Sequence, residues 1–166
     1  MTLYAESSAV LAWLLEQEHG ERVAASLAEA EMVVASDLTV IECDRVLIRA
    51  AAMHELQESD AVQRQARLNA VAARWTLLTL DDEIVERARR PFPVEPVRTL
   101  DAIHVASALT ARRAIPDIAV LSLDDRVRRA ADRLGLPLVP SDASLGVSPH
   151  ADTHVELQDG DEPTGV

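Results

Sequence analysis

Acidic side chains recur in this sequence where a short apolar segment gives way to a helical one. Glu6 follows LYA, Asp37 follows MVVAS and Asp124 follows AVLSL. Glu42 and Asp101 lie about one turn into otherwise apolar helices, where a buried carboxylate is costly unless it is paired or bound to a metal. Oxygen ligands suit Mg²⁺ and Mn²⁺, and such an ion can activate water against a phosphodiester. The pattern therefore favours a metal-dependent phosphodiester hydrolase.

Each of these acids also has an ordinary structural explanation. Asp37 and Asp124 can be N-caps and nothing more. We assign two further acids, Asp81 and Asp82, to capping outright. Glu42 could pair with Arg45 or Arg49 on its own helix. Asp101 could pair with Arg98 in the same way. Taken singly, the structural explanations are the better ones, so the metal site depends on all the acids meeting in one place.

The elements that must bring the acids together alternate between strands and helices. Apolar, β-branched segments predict strands at residues 3–5, 32–35, 75–80, 118–121 and 137–139. Helical spacing predicts the helices between them, including a long helical hairpin from Leu38 to Ala73. Alternation of this kind predicts a parallel α/β sheet covered on both faces. Ligands of such sheets bind beyond the carboxyl ends of the strands, which is where the acids lie.

Length and composition fit one domain. The chain has 166 residues, of which 48% are hydrophobic, enough for a single core. We expect one folded domain over residues 1–145 and an acidic, disordered tail over residues 146–166, where glycine, proline and acids replace the apolar periodicity. Cys43 is the one cysteine, so we expect a buried thiol and no internal disulfide. The first residues resemble neither a secretory signal nor a membrane span, so we expect a cytoplasmic protein.

The charge restricts how the chain could bind a polyanion. Its net charge is −12, and all 16 basic residues are arginines. This charge argues against binding a polyanion through overall charge, and a nucleic-acid enzyme of this composition needs bound cations and local arginines. The candidates for contact with phosphates are Arg112, Arg113, Arg126 and Arg128. A solvated helix face is the alternative explanation for them.

Four segments, in this order, resemble the motifs of the PIN-domain ribonuclease family over residues 2–140. They are LYAESSAVLAWLL with Glu6, SDLTVIECDRVL with Glu42, LDAIHVASAL with Asp101, and VLSLDDRVRRAADRLGL with Asp124. The resemblance implies a Rossmann-like α/β/α sandwich with a central parallel sheet. It also implies an endoribonuclease that uses Mg²⁺ or Mn²⁺, in which these four residues bind the metal and carry catalysis.

The chain departs from the family pattern at Glu6, where the family usually has Asp. The extra methylene shifts the carboxylate, and the ligand geometry of Mg²⁺ is strict, so activity could be lowered or the preferred metal changed. Ser8, or less favourably Ser7, matches the hydroxyl residue that supports the metal site in the family. We interpret His104 as a structural neighbour of the site rather than a proton-transfer group or zinc ligand.

In its length the chain resembles the small stand-alone members of the family, which are mostly VapC-like toxins of type II toxin–antitoxin systems. The resemblance implies an RNA substrate, a cognate antitoxin and a homodimer, for which the helical hairpin is a candidate interaction surface. The main alternative is a catalytically weak PIN-like binding module whose site Glu6 has spoiled. A phosphotransfer enzyme with a nucleophilic Asp is disfavoured, because Glu6 stands at the first strand end and no second Asp follows two residues later.

Overall fold

The computed structural model of the protein describes residues 1–145, and the expected acidic tail at 146–166 lies outside the described residues. The described strands are β1 (Thr2–Ala5), β2 (Met32–Ser36), β3 (Thr76–Leu78), β4 (Ala119–Leu121) and β5 (Leu138–Val139). The described helices are α1 (Ser7–Leu14), α2 (Gly20–Glu29), α3 (Asp37–Ala52), α4 (Glu58–Ala72), α5 (Asp82–Ala88), α6 (Thr99–Ala114), α7 (Asp125–Arg133) and α8 (Asp142–Leu145).

The strands form one parallel sheet in the order β3-β2-β1-β4-β5. The chain builds outward from β1 to β2 and β3, and then returns to the other side of β1 to form β4 and β5. The carboxyl ends of β1 and β4 therefore flank the point where the strand order reverses, the usual ligand crevice of such sheets. Ala5 pairs with Leu121, so the residues after both strands start side by side.

Alternate residues of β1 face two separate apolar clusters. Leu3 and Ala5 pack with α1, α2 and α4 on one face of the sheet. Tyr4 packs with α6 and α7 on the other face. This alternation is the period of two that a strand imposes on its side chains. The structure confirms the expected α/β/α sandwich with a central parallel sheet.

The predicted helical hairpin is present as α3 and α4, and Cys43 is buried within it. The third predicted strand is shorter than residues 75–80. It lies at the sheet edge, where its one described ladder is with β2, and Leu77 is 40% exposed. Ser36, rather than Asp37, occupies the N-cap position of α3. No helix within residues 1–145 is long and apolar enough to cross a membrane.

Candidate metal centre

Glu6 follows β1 directly and caps α1, with its carboxylate 3% exposed. Its Oε2 accepts hydrogen bonds from the Ser8 backbone N–H at 3.1 Å, from the Ser8 hydroxyl, and from the Ser122 hydroxyl at 2.8 Å. Its Oε1 accepts from the Ser7 hydroxyl at 2.8 Å. Three donors thus occupy Oε2, and Oε1 is the oxygen better placed for a further ligand.

Glu42 lies on α3 and meets His104 of α6. Its Oε2 is 2.6 Å from Nε2 of His104 and 2.8 Å from the Ser7 hydroxyl, whose single proton is shared between Glu42 and Glu6. Burial raises the pKa of Glu42, but the hydrogen bond and charge of His104 and the bond from Ser7 outweigh it, so the pKa lies below its usual value. Glu42 is therefore ionised at neutral pH.

The second ring nitrogen of His104 is held from β1. Nδ1 lies 3.2 Å from the Tyr4 hydroxyl, which lies 3.2 Å from the hydroxyl of Ser36. Burial raises the pKa of Tyr4 well above its usual value, so the phenol keeps its proton. Because Glu42 is ionised and its oxygen can only accept, Nε2 of His104 carries a ring proton and donates it to Glu42. His104 thus orients Glu42, as expected of a neighbour of the site.

Asp101 and Asp124 share one guanidinium group. Nε of Arg126 donates to Oδ2 of Asp101 at 3.1 Å, and a terminal nitrogen donates to Oδ2 of Asp124 at 3.0 Å. The other oxygen of Asp124 caps α7 through the backbone N–H groups of Arg126 and Val127, at 2.8 and 3.2 Å. Asp124 is therefore an N-cap, as the structural explanation expected, and its Oδ2 still points to Arg126.

The four acids lie as two pairs joined by shared partners. Glu6 and Glu42 share Ser7, while Asp101 and Asp124 share Arg126. The Ser8 hydroxyl connects the pairs, because it donates to Glu6 and accepts the backbone N–H of Asp124 at 3.0 Å. Asp101 and His104 are three residues apart on α6, which places them on one face of that helix.

The arginine partners that the sequence allowed for these acids were wrong. Glu42 contacts His104 and Ser7 rather than Arg45 or Arg49. Asp101 contacts Arg126 rather than Arg98. The capping assignment of Asp81 is confirmed, because its Oδ1 accepts the Ile84 N–H at 3.0 Å. The local spacing rule failed where a residue from a distant element offered a closer partner.

Two contributors to the site, Ser122 and Tyr4, do not stand out in the sequence. A third, Ser7, is less favoured than Ser8 by the sequence pattern, yet it bridges Glu6 and Glu42. Ser122 could have been found, since it directly follows the strand that neighbours β1 and so lies beside Glu6.

The candidate phosphate-binding arginines differ in position. Arg128 is 4% exposed and donates to the carbonyl oxygens of Ser122 and Pro140, both at 2.8 Å. A phosphate contact does not fit this buried position. Arg112 donates to the Leu134 carbonyl oxygen at 2.8 Å, which ties α6 to the end of α7. Arg113 is exposed and pairs with Glu83.

The donor set fits a small divalent cation. One carboxylate oxygen each from Glu6 and Glu42 and one ring nitrogen of His104 lie within 4.8 Å of one another. Carboxylates suit Mg²⁺ and Mn²⁺, and a single imidazole neighbour does not change that preference to zinc, whose sites use more nitrogen and sulfur. Asp101 and Asp124 are not part of this group among the described residues, and their Oδ2 atoms contact Arg126 instead.

Comparisons with known proteins agree with these motifs. The model of the PIN domain family matches residues 3–133. Ribonuclease VapC35 of Mycobacterium tuberculosis is 31% identical over 102 residues, covering 58% of this chain and 76% of that protein. Ribonuclease VapC46 of the same species is 38% identical over 94 residues, covering 56% of this chain and 68% of that protein.

Solved structures share the fold. FitAcB from Neisseria gonorrhoeae gives a TM-score of 0.58 at 20% identity, covering 83% of this chain and 96% of that one. M. tuberculosis VapC20 gives a TM-score of 0.56 at 14% identity, covering 77% of this chain and 94% of that one. At these identities the likeness shows the fold alone. Because the family model spans most of the described residues, this chain belongs to the PIN-domain family.

Proposed function

We propose that this protein is a metal-dependent endoribonuclease and the toxin of a VapBC-type toxin–antitoxin pair. The observation that supports this most is the grouping of Glu6, Glu42, Asp101 and Asp124 around shared partners at the strand-order reversal. The ribonuclease names of the two Mycobacterium relatives support the reaction class.

The carboxylate oxygens that would face an ion follow from the hydrogen bonds. Oε2 of Glu6 and Oδ1 of Asp124 are occupied by serine and backbone donors. Oε1 of Glu6 and Oδ2 of Asp124 therefore take the ligand role, with Asp101 and Glu42 completing the set. When bound, Mg²⁺ or Mn²⁺ would supply an activated water and charge to stabilise the phosphodiester under attack.

The serines and His104 fix the carboxylates before any ion binds. Ser8 and Ser122 hold Glu6, and His104 holds Glu42 while Tyr4 holds His104. Prior positioning of this kind reduces the ordering cost of binding a cation with strict geometry. We propose Ser8 as the supporting residue, together with Ser7.

The substrate and partners are part of the same proposal. RNA would approach a chain of net charge −12, so the bound cation and exposed arginines such as Arg113 would receive its phosphates. We also propose that the protein is cytoplasmic, where it would meet cellular RNA. Structures of VapBC2 from Rickettsia felis and of FitAB, each bound to DNA, share the fold, which supports an antitoxin partner for this chain.

The helical hairpin of α3 and α4 offers a surface for an antitoxin or a second copy. Ile41 and Ile48 lie two turns apart on α3 and are 52% and 44% exposed, and Val62 of α4 is 60% exposed. Exposed apolar side chains grouped on one hairpin are typical of protein interfaces. We propose that the protein forms a homodimer.

Asp101→Asn tests the function. The substitution keeps the shape of the side chain but removes a ligand charge, and loss of even an outer partner of a metal ligand costs about 10–100-fold. We expect Mn²⁺-dependent cleavage of single-stranded RNA by the parent and at least about a hundredfold slower cleavage by the variant.

The matched control is Asp117→Asn, an exposed carboxylate in the loop before β4, which should cut like the parent. Circular dichroism would verify that both variants fold. Parent protein that neither binds Mn²⁺ nor cuts RNA would support the binding-module alternative. Equal cleavage by parent and Asp101→Asn would reject Asp101 as a metal ligand.

A further inference from the structure

Arg126 occupies the two carboxylate oxygens that a cation would need on one side of the site. Its guanidinium bridges Oδ2 of Asp101 and Oδ2 of Asp124, at 3.1 and 3.0 Å. The opposite oxygen of Asp124 is engaged in capping α7. An ion ligated by both aspartates would therefore compete with Arg126 for the same atoms.

The side chain of Arg126 is the part of this arrangement best able to move. It is 39% exposed, whereas the side chain of Asp101 is 13% exposed. Asp101 is in the first turn of the sixteen-residue helix α6, and Asp124 is fixed as the cap of α7. The backbone N–H of Arg126 also bonds Asp124, so the helix start can stay in place while the long side chain turns outward.

The charges favour such an exchange. Asp101 and Asp124 both place a carboxylate oxygen on Arg126, and the Ser8 hydroxyl links Asp124 to the buried Glu6. A guanidinium contributes one positive charge and a divalent ion contributes two at shorter range, so the ion can displace it. A released guanidinium at the edge of the site would suit a phosphate, which it can bind through two N–H groups.

We propose that Arg126 is an internal counter-cation that holds Asp101 and Asp124 together until a divalent ion displaces it. This inference rests on the proposed function, because it assumes that the same aspartates bind the ion. Arg126 acts as a positioning residue in the metal-free protein. On displacement its side chain turns to solvent beside the site. There its guanidinium can bind an RNA phosphate instead of the two aspartates.

Arg126→Gln tests the competition through metal affinity, independently of cleavage. Glutamine nearly keeps the length but loses the charge, so the aspartates are left without their counter-cation. We expect Mn²⁺ to bind about tenfold more tightly in a calorimetric titration, which corresponds to about 1.4 kcal/mol. The loss of a merely structural contact would weaken metal binding rather than tighten it.

Two further variants control for charge and folding. Arg129→Gln removes the same charge from an exposed position on α7 and should change the Mn²⁺ affinity less than twofold. Arg126→Lys keeps the charge but lacks the planar guanidinium that bridges both aspartates. Its Mn²⁺ affinity should therefore lie between those of the parent and Arg126→Gln. Arg126→Lys also carries the test if the glutamine variant does not fold.

The outcomes separate this inference from the proposed function. Tighter Mn²⁺ binding by Arg126→Gln, with slower RNA cleavage at saturating Mn²⁺, is the expected result. Unchanged or weaker Mn²⁺ binding in a folded variant, while the parent binds Mn²⁺ and cuts RNA, would overturn the inference alone. Absence of Mn²⁺ binding in the parent and in every variant would overturn both.

Discussion

The carboxylate of Glu6 is fixed by three serines that come from two different parts of the chain. Ser7 and Ser8 follow it in sequence, and Ser122 lies at the end of the neighbouring strand β4. A glutamate loses more side-chain freedom on ordering than an aspartate, and these hydroxyls offset that cost. The departure from the usual aspartate is therefore accompanied by a set of donors that hold the longer side chain.

Substitution of Glu6 tests whether it is a working ligand. Glu6→Gln keeps the size and removes the charge. Mn²⁺ affinity should fall at least about tenfold, because losing even a hydrogen-bond partner of a metal ligand costs about 10–100-fold in affinity. Glu6→Asp keeps the charge and should retain metal binding and cleavage. Titration calorimetry and an RNA cleavage assay measure both, with the exposed Glu18→Gln as control. An inactive parent beside an active Glu6→Asp variant would contradict our assignment of enzyme activity.

Residue types in the site could be predicted from sequence, but their partners could not. An acid on an apolar helical face stands out locally, as Glu42 and Asp101 do. The contact between Glu42 and His104 joins residues 62 positions apart, and that between Ser122 and Glu6 joins residues 116 apart. Such pairs depend on how α6 packs and on the register of β1 with β4, which single-chain periodicity does not specify.

At the scale of elements, the site depends on where α1 begins. This helix carries Ser7 and Ser8, and it packs closely against α2 at Gly20. A Cβ atom at Gly20 would lie 2.5 Å from the carbonyl oxygen of Ala12. That distance is too short for any side chain, so the close approach of α2 to the backbone of α1 requires glycine at this position.

Gly20→Ala should therefore destabilise the protein. The added methyl group must push α2 away from α1, and overpacking of this kind costs about 1–3 kcal/mol. We expect a Tm several degrees below that of the parent in a thermal melt followed by circular dichroism. The neighbouring exposed variant Glu21→Ala should melt like the parent. A Gly20→Ala protein with unchanged Tm would show that α1 and α2 do not pack as closely as described.

At the scale of the whole molecule, the fold brings several acidic residues to one edge of the sheet in a protein of net charge −12. The alternation of strands and helices predicted the sheet and its ligand-binding edge, because those follow from hydrophobic period and chain direction. The domain boundary after residue 145, the homodimer and the antitoxin stay predictions. Charges separated by more than about 8 Å are largely screened at physiological ionic strength, so RNA binding depends on the site itself rather than on the net charge.

Anomalous diffraction from a crystal soaked in Mn²⁺ tests the central claim, that these carboxylates hold one catalytic cation. We expect one strong peak within bonding distance of Oε1 of Glu6 and of Asp101 and Asp124, with Arg126 turned away from both aspartates. Glu42 should contact the ion directly or through a water. A soaked crystal with no peak between these residues, or with Mn²⁺ bound only elsewhere, would contradict the account.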